Sequence, residues 1–97
     1  MAMTSATPVA PTNWLGAAWV RGQSALVEYS LMQPAGVSFD IYDLAGRRVA
    51  HLDEPTRGPG PHTATLDLGG TPQGIYFVQM RLPGLRYNRR LLILGQR

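Results

Sequence analysis

Glycine and proline recur so often in this sequence that only short regular segments fit between them. Eight prolines and eleven glycines interrupt the 97 residues, and turn signals come about every 8–12 residues. No stretch repeats apolar residues with the period of an amphipathic helix, whereas several alternate apolar and polar residues as half-buried strands do. The sequence therefore predicts an all-β fold, either a sandwich or a barrel.

Seven strands fit between the turns. The predicted strands cover residues 15–20, 25–31, 37–41, 47–52, 62–68, 75–82 and 86–94. Residues 53–61 hold three prolines and two glycines, and this composition predicts a loop. Seven antiparallel strands are typical of an immunoglobulin-like β-sandwich, which is the fold that we expect.

Two segments carry the clearest strand-and-turn signals, residues 42–49 and residues 74–78. The first follows a strand in which Val37 and Phe39 point inward, and it turns at Gly46, because glycine adopts a positive φ without steric cost. The second begins at Gly74, directly after a loop rich in glycine and proline. Both segments therefore mark joints between strands rather than parts of a catalytic site.

Tyr76 lies near the start of the predicted sixth strand. Immunoglobulin-like sandwiches place a "tyrosine corner" there, in which the tyrosine hydroxyl binds the backbone a few residues upstream. This comparison favours a strand in which Tyr76, Val78 and Met80 face the core. The opposite phase, with Ile75 and Phe77 inward, is the alternative.

The length of the chain allows one domain. Residues 1–13 are rich in Ala, Thr, Pro and Ser, and we expect them to be a linker or an added tail before a domain that covers residues 14–97. They lack the basic start and continuous apolar stretch of a signal peptide. No apolar run reaches the length of a membrane-spanning helix, so membrane insertion is not expected.

The composition contains few residues that could form a catalytic or metal-binding site. There is no cysteine, and the two histidines, His51 and His62, lack the further ligands of a metal site. The six acidic residues fall mostly at turns or at outward strand positions, where side chains such as that of Asp43 bind their own backbone. We therefore predict no catalytic residue, no cofactor and no metal.

The basic and aromatic residues suggest two further ligands. Nine arginines and no lysine give a net charge of +3, and the basic residues 86–90 could contact nucleic acid. They lead directly into the apolar residues 91–94, however, so nucleic-acid binding is not expected. The aromatic residues could instead form a flat platform that stacks against sugar rings. This is not expected either, because Trp14 and Trp19 are predicted to pack against the edge of the core. The aromatic residues considered for such a platform are Trp14, Trp19, Tyr42 and Tyr87.

Five motifs in order resemble a known family. They are residues 26–31, residues 37–49 with the run Tyr-Asp-Leu-Ala-Gly-Arg-Arg-Val, residues 62–67, residues 74–78, and basic residues that lead into residues 91–94. Over residues 24–95 the chain resembles the C-terminal sorting domains of proteins exported by the type IX secretion system, and is similar to the immunoglobulin-like domain of the flagellar hook-capping protein. One departure is that Arg89 and Arg90 stand where the family usually has lysine.

The resemblance implies a non-catalytic module that directs its parent protein to the outer-membrane surface or beyond. The partners that it implies are an outer-membrane translocon and a sortase-like surface protease. It also leaves self-association through the last strand open. The candidate recognition residues are Gly46, Arg47, Arg48, Gly74, Tyr76, Arg89 and Arg90. The rival functions are a carbohydrate-binding module of a secreted hydrolase and an inert spacer.

Overall fold

A computed structural model describes residues 13–94 as two antiparallel β-sheets. The strands are β1 (Trp14–Arg21), β2 (Ser24–Leu31), β3 (Ala35–Tyr42), β4 (Arg48–Arg57), β5 (Gly60–Asp67), β6 (Gly74–Leu82) and β7 (Leu85–Ile93). One sheet has the order β1-β2-β5 and the other β4-β3-β6-β7. The predicted all-β sandwich of about seven antiparallel strands is confirmed. The predicted linker, residues 1–13, lies outside the described residues except for Asn13.

Alternation along each strand builds the core between the sheets. Tyr29 of β2 and Phe39 of β3 have no exposed surface, and their rings meet edge to face at 4.9 Å, a favourable geometry for aromatic pairs. The predicted inward phase of β6 is confirmed. The other buried apolar residues include Val27, Leu31, Val37, Ile41, Leu66, Tyr76, Val78, Met80 and Leu91.

The prediction of a loop over residues 53–61 is wrong. Strand β4 continues to Arg57 and β5 begins at Gly60. Both strands lie at sheet edges, where a proline needs no ladder partner on its open side. Pro55 lies where the register of β3 and β4 shifts, so it falls in a bulge and costs the sheet no regular hydrogen bond. Proline content alone therefore understated the length of both strands.

The prediction that Trp14 and Trp19 pack against the core is also wrong. Leu15 is the buried residue at the start of β1, whereas Trp14 is 46% exposed and Trp19 is 38% exposed. A register shift lies between Leu15 and Ala18 in the pairing of β1 with β2. In a regular strand, positions 14 and 19 would lie on opposite faces, but this bulge shifts the phase between them, so both tryptophans lie on the outer face.

Side-chain hydrogen bonds join the two sheets. The Tyr29 hydroxyl donates to Glu54 Oε1 at 3.3 Å, and burial, followed by the Glu54 carboxylate, raises the pKa of Tyr29 to about 12. On the opposite side of the sandwich, Arg89 of β7 donates through Nη2 to the Leu15 carbonyl of β1 at 2.7 Å. Residues 13–94 contain no helix long and apolar enough to span a membrane.

Candidate functional site

The hairpin between β3 and β4 holds the first predicted recognition residues. Gly46 has a φ of 86°, and its amide donates to the Asp43 carbonyl at 3.0 Å. Asp43 Oδ1 accepts hydrogen bonds from the amides of Ala45 and Arg47, each at 2.9 Å. These bonds hold the pKa of the Asp43 carboxyl below its usual value, and the bond from the Arg47 amide contributes most. The turn is therefore fixed by its own side chain, and the exposed Arg47 guanidinium lies beside Asp43 at 3.0 Å.

The pairing of four strands brings Arg48 and Arg90 into one row. Tyr42 pairs with Arg48 on one side and with Phe77 on the other, and Phe77 pairs with Arg90. With neighbouring strands about 4.8 Å apart, the two arginine backbones are separated by about 14 Å. All four residues lie on the outer surface of the four-stranded sheet. We call this surface the cationic face, and its arginines are Arg48, Arg81, Arg86 and Arg90.

An apolar patch adjoins this row at the end of the cationic face. Phe77 is 39% exposed, Ile75 is 40% exposed and Leu92 is 55% exposed. Ile75 and Leu92 pair directly across β6 and β7, one row beyond Phe77 and Arg90. We call Phe77, Ile75 and Leu92 the apolar patch. Exposed apolar residues that are contiguous and rimmed by polar groups mark surfaces that bind other molecules.

Asp40 is a buried carboxylate on the cationic face, and its place in the alternating pattern of β3 predicts an exposed side chain instead. It has no exposed surface, and its Oδ1 lies 2.6 Å from His51 Nδ1 and 3.3 Å from Arg48 Nη1. Arg81 Nη2 lies 2.9 Å from Asp40 Oδ2, an ion-pair distance, although this oxygen has no well-aligned hydrogen bond within residues 13–94. The Asp40 cluster therefore ties β3, β4 and β6 together through charge.

The Asp40 cluster also sets the charge of His51. The hydrogen bond between His51 and Asp40 raises the pKa of His51 above its usual value of 6.5. The bond of His51 Nε2 to Asp53, at 3.1 Å, is the second cause of this increase. Both ring nitrogens face carboxylates, so neither is left to act on a substrate as a general base. In residues 13–94 no group of three or more His, Asp or Glu side chains could hold a metal ion.

The remaining predicted residues lie apart from the row. Tyr76 is buried, and its hydroxyl donates to the Pro72 carbonyl at 2.7 Å, which is the bond of a tyrosine corner. Gly74 has a φ of 154°, and a Cβ there would lie 3.5 Å from Tyr76 Cε1. Arg89 donates to Leu15 as described above. These three residues contribute to the fold, whereas Arg47, Arg48 and Arg90 present guanidinium groups on the surface.

Comparisons with known proteins found no relative. No protein-family model, no curated protein and no solved structure matches this chain.

Proposed function

We propose that this chain is a non-catalytic recognition module that directs a parent protein through the type IX secretion system to the cell surface. The observation that carries the proposal is the row of Arg48, Tyr42, Phe77 and Arg90 beside the apolar patch. Three of the candidate recognition residues, Arg47, Arg48 and Arg90, lie at this end of the sheet. The translocon would bind here, and the cationic face would be its docking surface.

Two properties of this surface support protein recognition. Exposed aromatic and aliphatic side chains give a partner apolar area to bury, and arginine is enriched where proteins meet. The row and the patch lie on strands held by a packed core, so the surface is formed before a partner arrives and little ordering entropy is lost on binding.

The charge of the cationic face indicates the chemistry of the partner. Its four arginines face two acids, of which Asp40 is buried and Asp53 lies at the edge. Arg48 and Arg81 are partly neutralised by Asp40, whereas Arg90 makes no ion pair within residues 13–94. A translocon segment that places a carboxylate beside Arg90 and an apolar side chain on Phe77 would match this arrangement.

The test is export of a reporter fused to the full 97-residue chain in a bacterium with the type IX system. We expect the wild-type fusion to reach the cell surface and the Arg90→Glu fusion to remain in the periplasm. Arg48 is left unchanged because its loss would disturb Asp40. Arg21→Glu is the matched control, since Arg21 lies at the exposed end of β1 in the other sheet.

Retention of the wild-type fusion in the periplasm would show that the chain is not a sorting module. Export of Arg90→Glu at the wild-type level would show that the cationic face is not the surface that the translocon binds. Limited proteolysis of each periplasmic fusion distinguishes lost recognition from lost folding.

A further inference from the structure

The outer surface of the three-stranded sheet, on the opposite side of the sandwich from the cationic face, exposes both tryptophans of the chain. Trp14 pairs with Ser30, and Trp19 pairs with Leu26. We call this surface the tryptophan face. Large exposed aromatic side chains on a rigid sheet leave apolar area in water, and this area is available to a ligand.

Trp14 lies flat on the backbone of Gly16. A Cβ built on Gly16 would fall 2.3 Å from Trp14 Cη2 and 2.7 Å from each of the two ring atoms bonded to it, Cζ2 and Cζ3. The flanking atoms are only slightly farther from this point than Cη2 is, as expected for a point above the ring; a point in the ring plane beyond Cη2 would lie much farther from both of them. Gly16 is itself buried, so the indole covers it with one face and turns the other face to solvent.

Polar groups lie beside the open ring. A shallow depression of about 330 Å³ beside the ring is lined by Trp14, Glu28, Tyr29, Pro61, His62 and Thr63, and the His62 Nε2 atom is already bonded to the Gly58 carbonyl. Glu28 lies next to the bulge of β1 and pairs with Thr63 of β5. Neither the Glu28 carboxylate nor the Thr63 hydroxyl makes a side-chain hydrogen bond within residues 13–94. An aromatic floor with a few convergent polar groups is the usual composition of a small-ligand site.

The chemistry of this depression selects among ligands. The electron-rich ring face attracts the positively polarised C–H groups of a pyranose ring. The carboxylate and the hydroxyl accept hydrogen bonds from sugar hydroxyl groups. Glu28 would repel an anionic ligand, and no arginine lines the depression. A neutral sugar therefore fits better than a phosphate or an acidic sugar.

Trp19 extends the site along β2. Its partner Leu26 is four residues from Ser30, the partner of Trp14, so the two tryptophan positions are about 13 Å apart. One sugar ring cannot stack on both, whereas an oligosaccharide that follows the strand could.

We propose that the tryptophan face binds a neutral oligosaccharide, with one sugar ring stacked on Trp14 and hydrogen-bonded to Glu28 and Thr63. Trp19 would stack a ring further along the same ligand. This site does not depend on the cationic face, so it stands or falls separately from the proposed sorting function.

The test titrates the 97-residue chain with cellohexaose, xylohexaose and mannohexaose, and follows the tryptophan indole N–H signals by NMR. We expect at least one sugar to give a saturable shift of the Trp14 signal. Trp14→Ala should weaken that binding about tenfold or more. Gly16→Ala should weaken it as well, because the added methyl group displaces the ring from its flat position.

The matched control is Gly70→Ala, where a Cβ meets nothing within 4 Å. It should bind as the wild type does, and backbone NMR spectra confirm that each variant is folded. The proposal is overturned if none of the three sugars shifts the Trp14 signal at concentrations up to about 10 mM. It is equally overturned if Trp14→Ala keeps wild-type affinity, or if tetramethylammonium chloride binds at Trp14 and the sugars do not.

Discussion

Asp40 has no exposed surface, although alternation along β3 places it on the outer side of its sheet. Alternation predicts which face a side chain occupies, but not whether its neighbours cover that face. Here Arg48, His51 and Arg81 come from two flanking strands and close over the carboxylate. Their strand register is a tertiary property, so a single sequence does not reveal this burial.

The Asp40 cluster predicts a specific pH dependence. Because the folded-state pKa of His51 is raised above 6.5, protonated His51 stabilises the fold fully below about pH 6.5. That contribution is lost as the pH rises through the folded-state pKa. NMR titration of the His51 ring should therefore give a pKa above 6.5, and the urea midpoint should fall over the same pH range.

Two variants test the cause of this shift. Asp40→Asn removes the largest cause and should move the pKa of His51 back toward 6.5, with Asp53 supplying what remains of the increase. His62→Asn is the control and should leave the pH dependence in place, since His62 bonds the Gly58 carbonyl instead. An unchanged His51 titration in Asp40→Asn would show that Asp40 does not set its charge.

At the scale of elements, the sequence predicts the seven strands, and the largest error in their bounds lies at the end of β4. The inward positions of Tyr76, Val78 and Met80 follow from burial on one face of β6, and the structure confirms them. Proline content predicts a loop between β4 and β5, but proline disrupts a central strand and not an edge strand, and both of these strands lie at edges. Which strands lie at an edge depends on sheet order, and the sequence does not state that order.

The β3–β4 hairpin depends on its glycine. A Cβ at Gly46 would meet nothing within 4 Å, but the φ of +86° is one that L side chains rarely adopt. Gly46→Ala should therefore lower the free energy of unfolding by about 1–2 kcal/mol through the backbone alone. Urea denaturation measures the change.

Gly70→Ala separates this strain from a general effect of the added methyl group. Gly70 also has open space around it and has no positive φ, so its variant should stay within about 0.5 kcal/mol of the wild type. Equal stability of the two variants would show that the turn tolerates alanine at position 46.

At the scale of the whole molecule, the two outer faces differ in chemistry. The cationic face carries four arginines and the apolar patch, whereas the tryptophan face carries Trp14, Trp19 and Glu28. The sequence singled out Arg48 and Arg90 one by one. It could not place them in one row, because that row exists only through the register of β4, β3, β6 and β7. The apolar patch is partly visible in the sequence, because the inward phase of Tyr76 places the apolar side chains of Ile75 and Phe77 on the outer face.

Arg89 and Arg90 are adjacent in sequence, but we expect their replacement by alanine to affect stability and export in opposite ways. Arg89 crosses from β7 to the Leu15 carbonyl of β1, so Arg89→Ala leaves that carbonyl without its charged donor and should cost about 1–2 kcal/mol. Arg90 points outward on the cationic face, and Arg90→Ala should stay within about 0.5 kcal/mol. Thermal unfolding of both variants measures the difference.

Export of the reporter fusion should distinguish Arg89→Ala from Arg90→Ala in the opposite direction from stability. If Arg90 contacts the translocon, Arg90→Ala should reduce export while leaving stability unchanged, because only its outward guanidinium is lost. Arg89→Ala should lower stability and, below its melting temperature, leave the export of folded fusions near the wild-type level. The reverse pattern, with export sensitive to Arg89 and insensitive to Arg90, would move the recognition surface from the cationic face to the side of the sandwich where β1 lies beside β7.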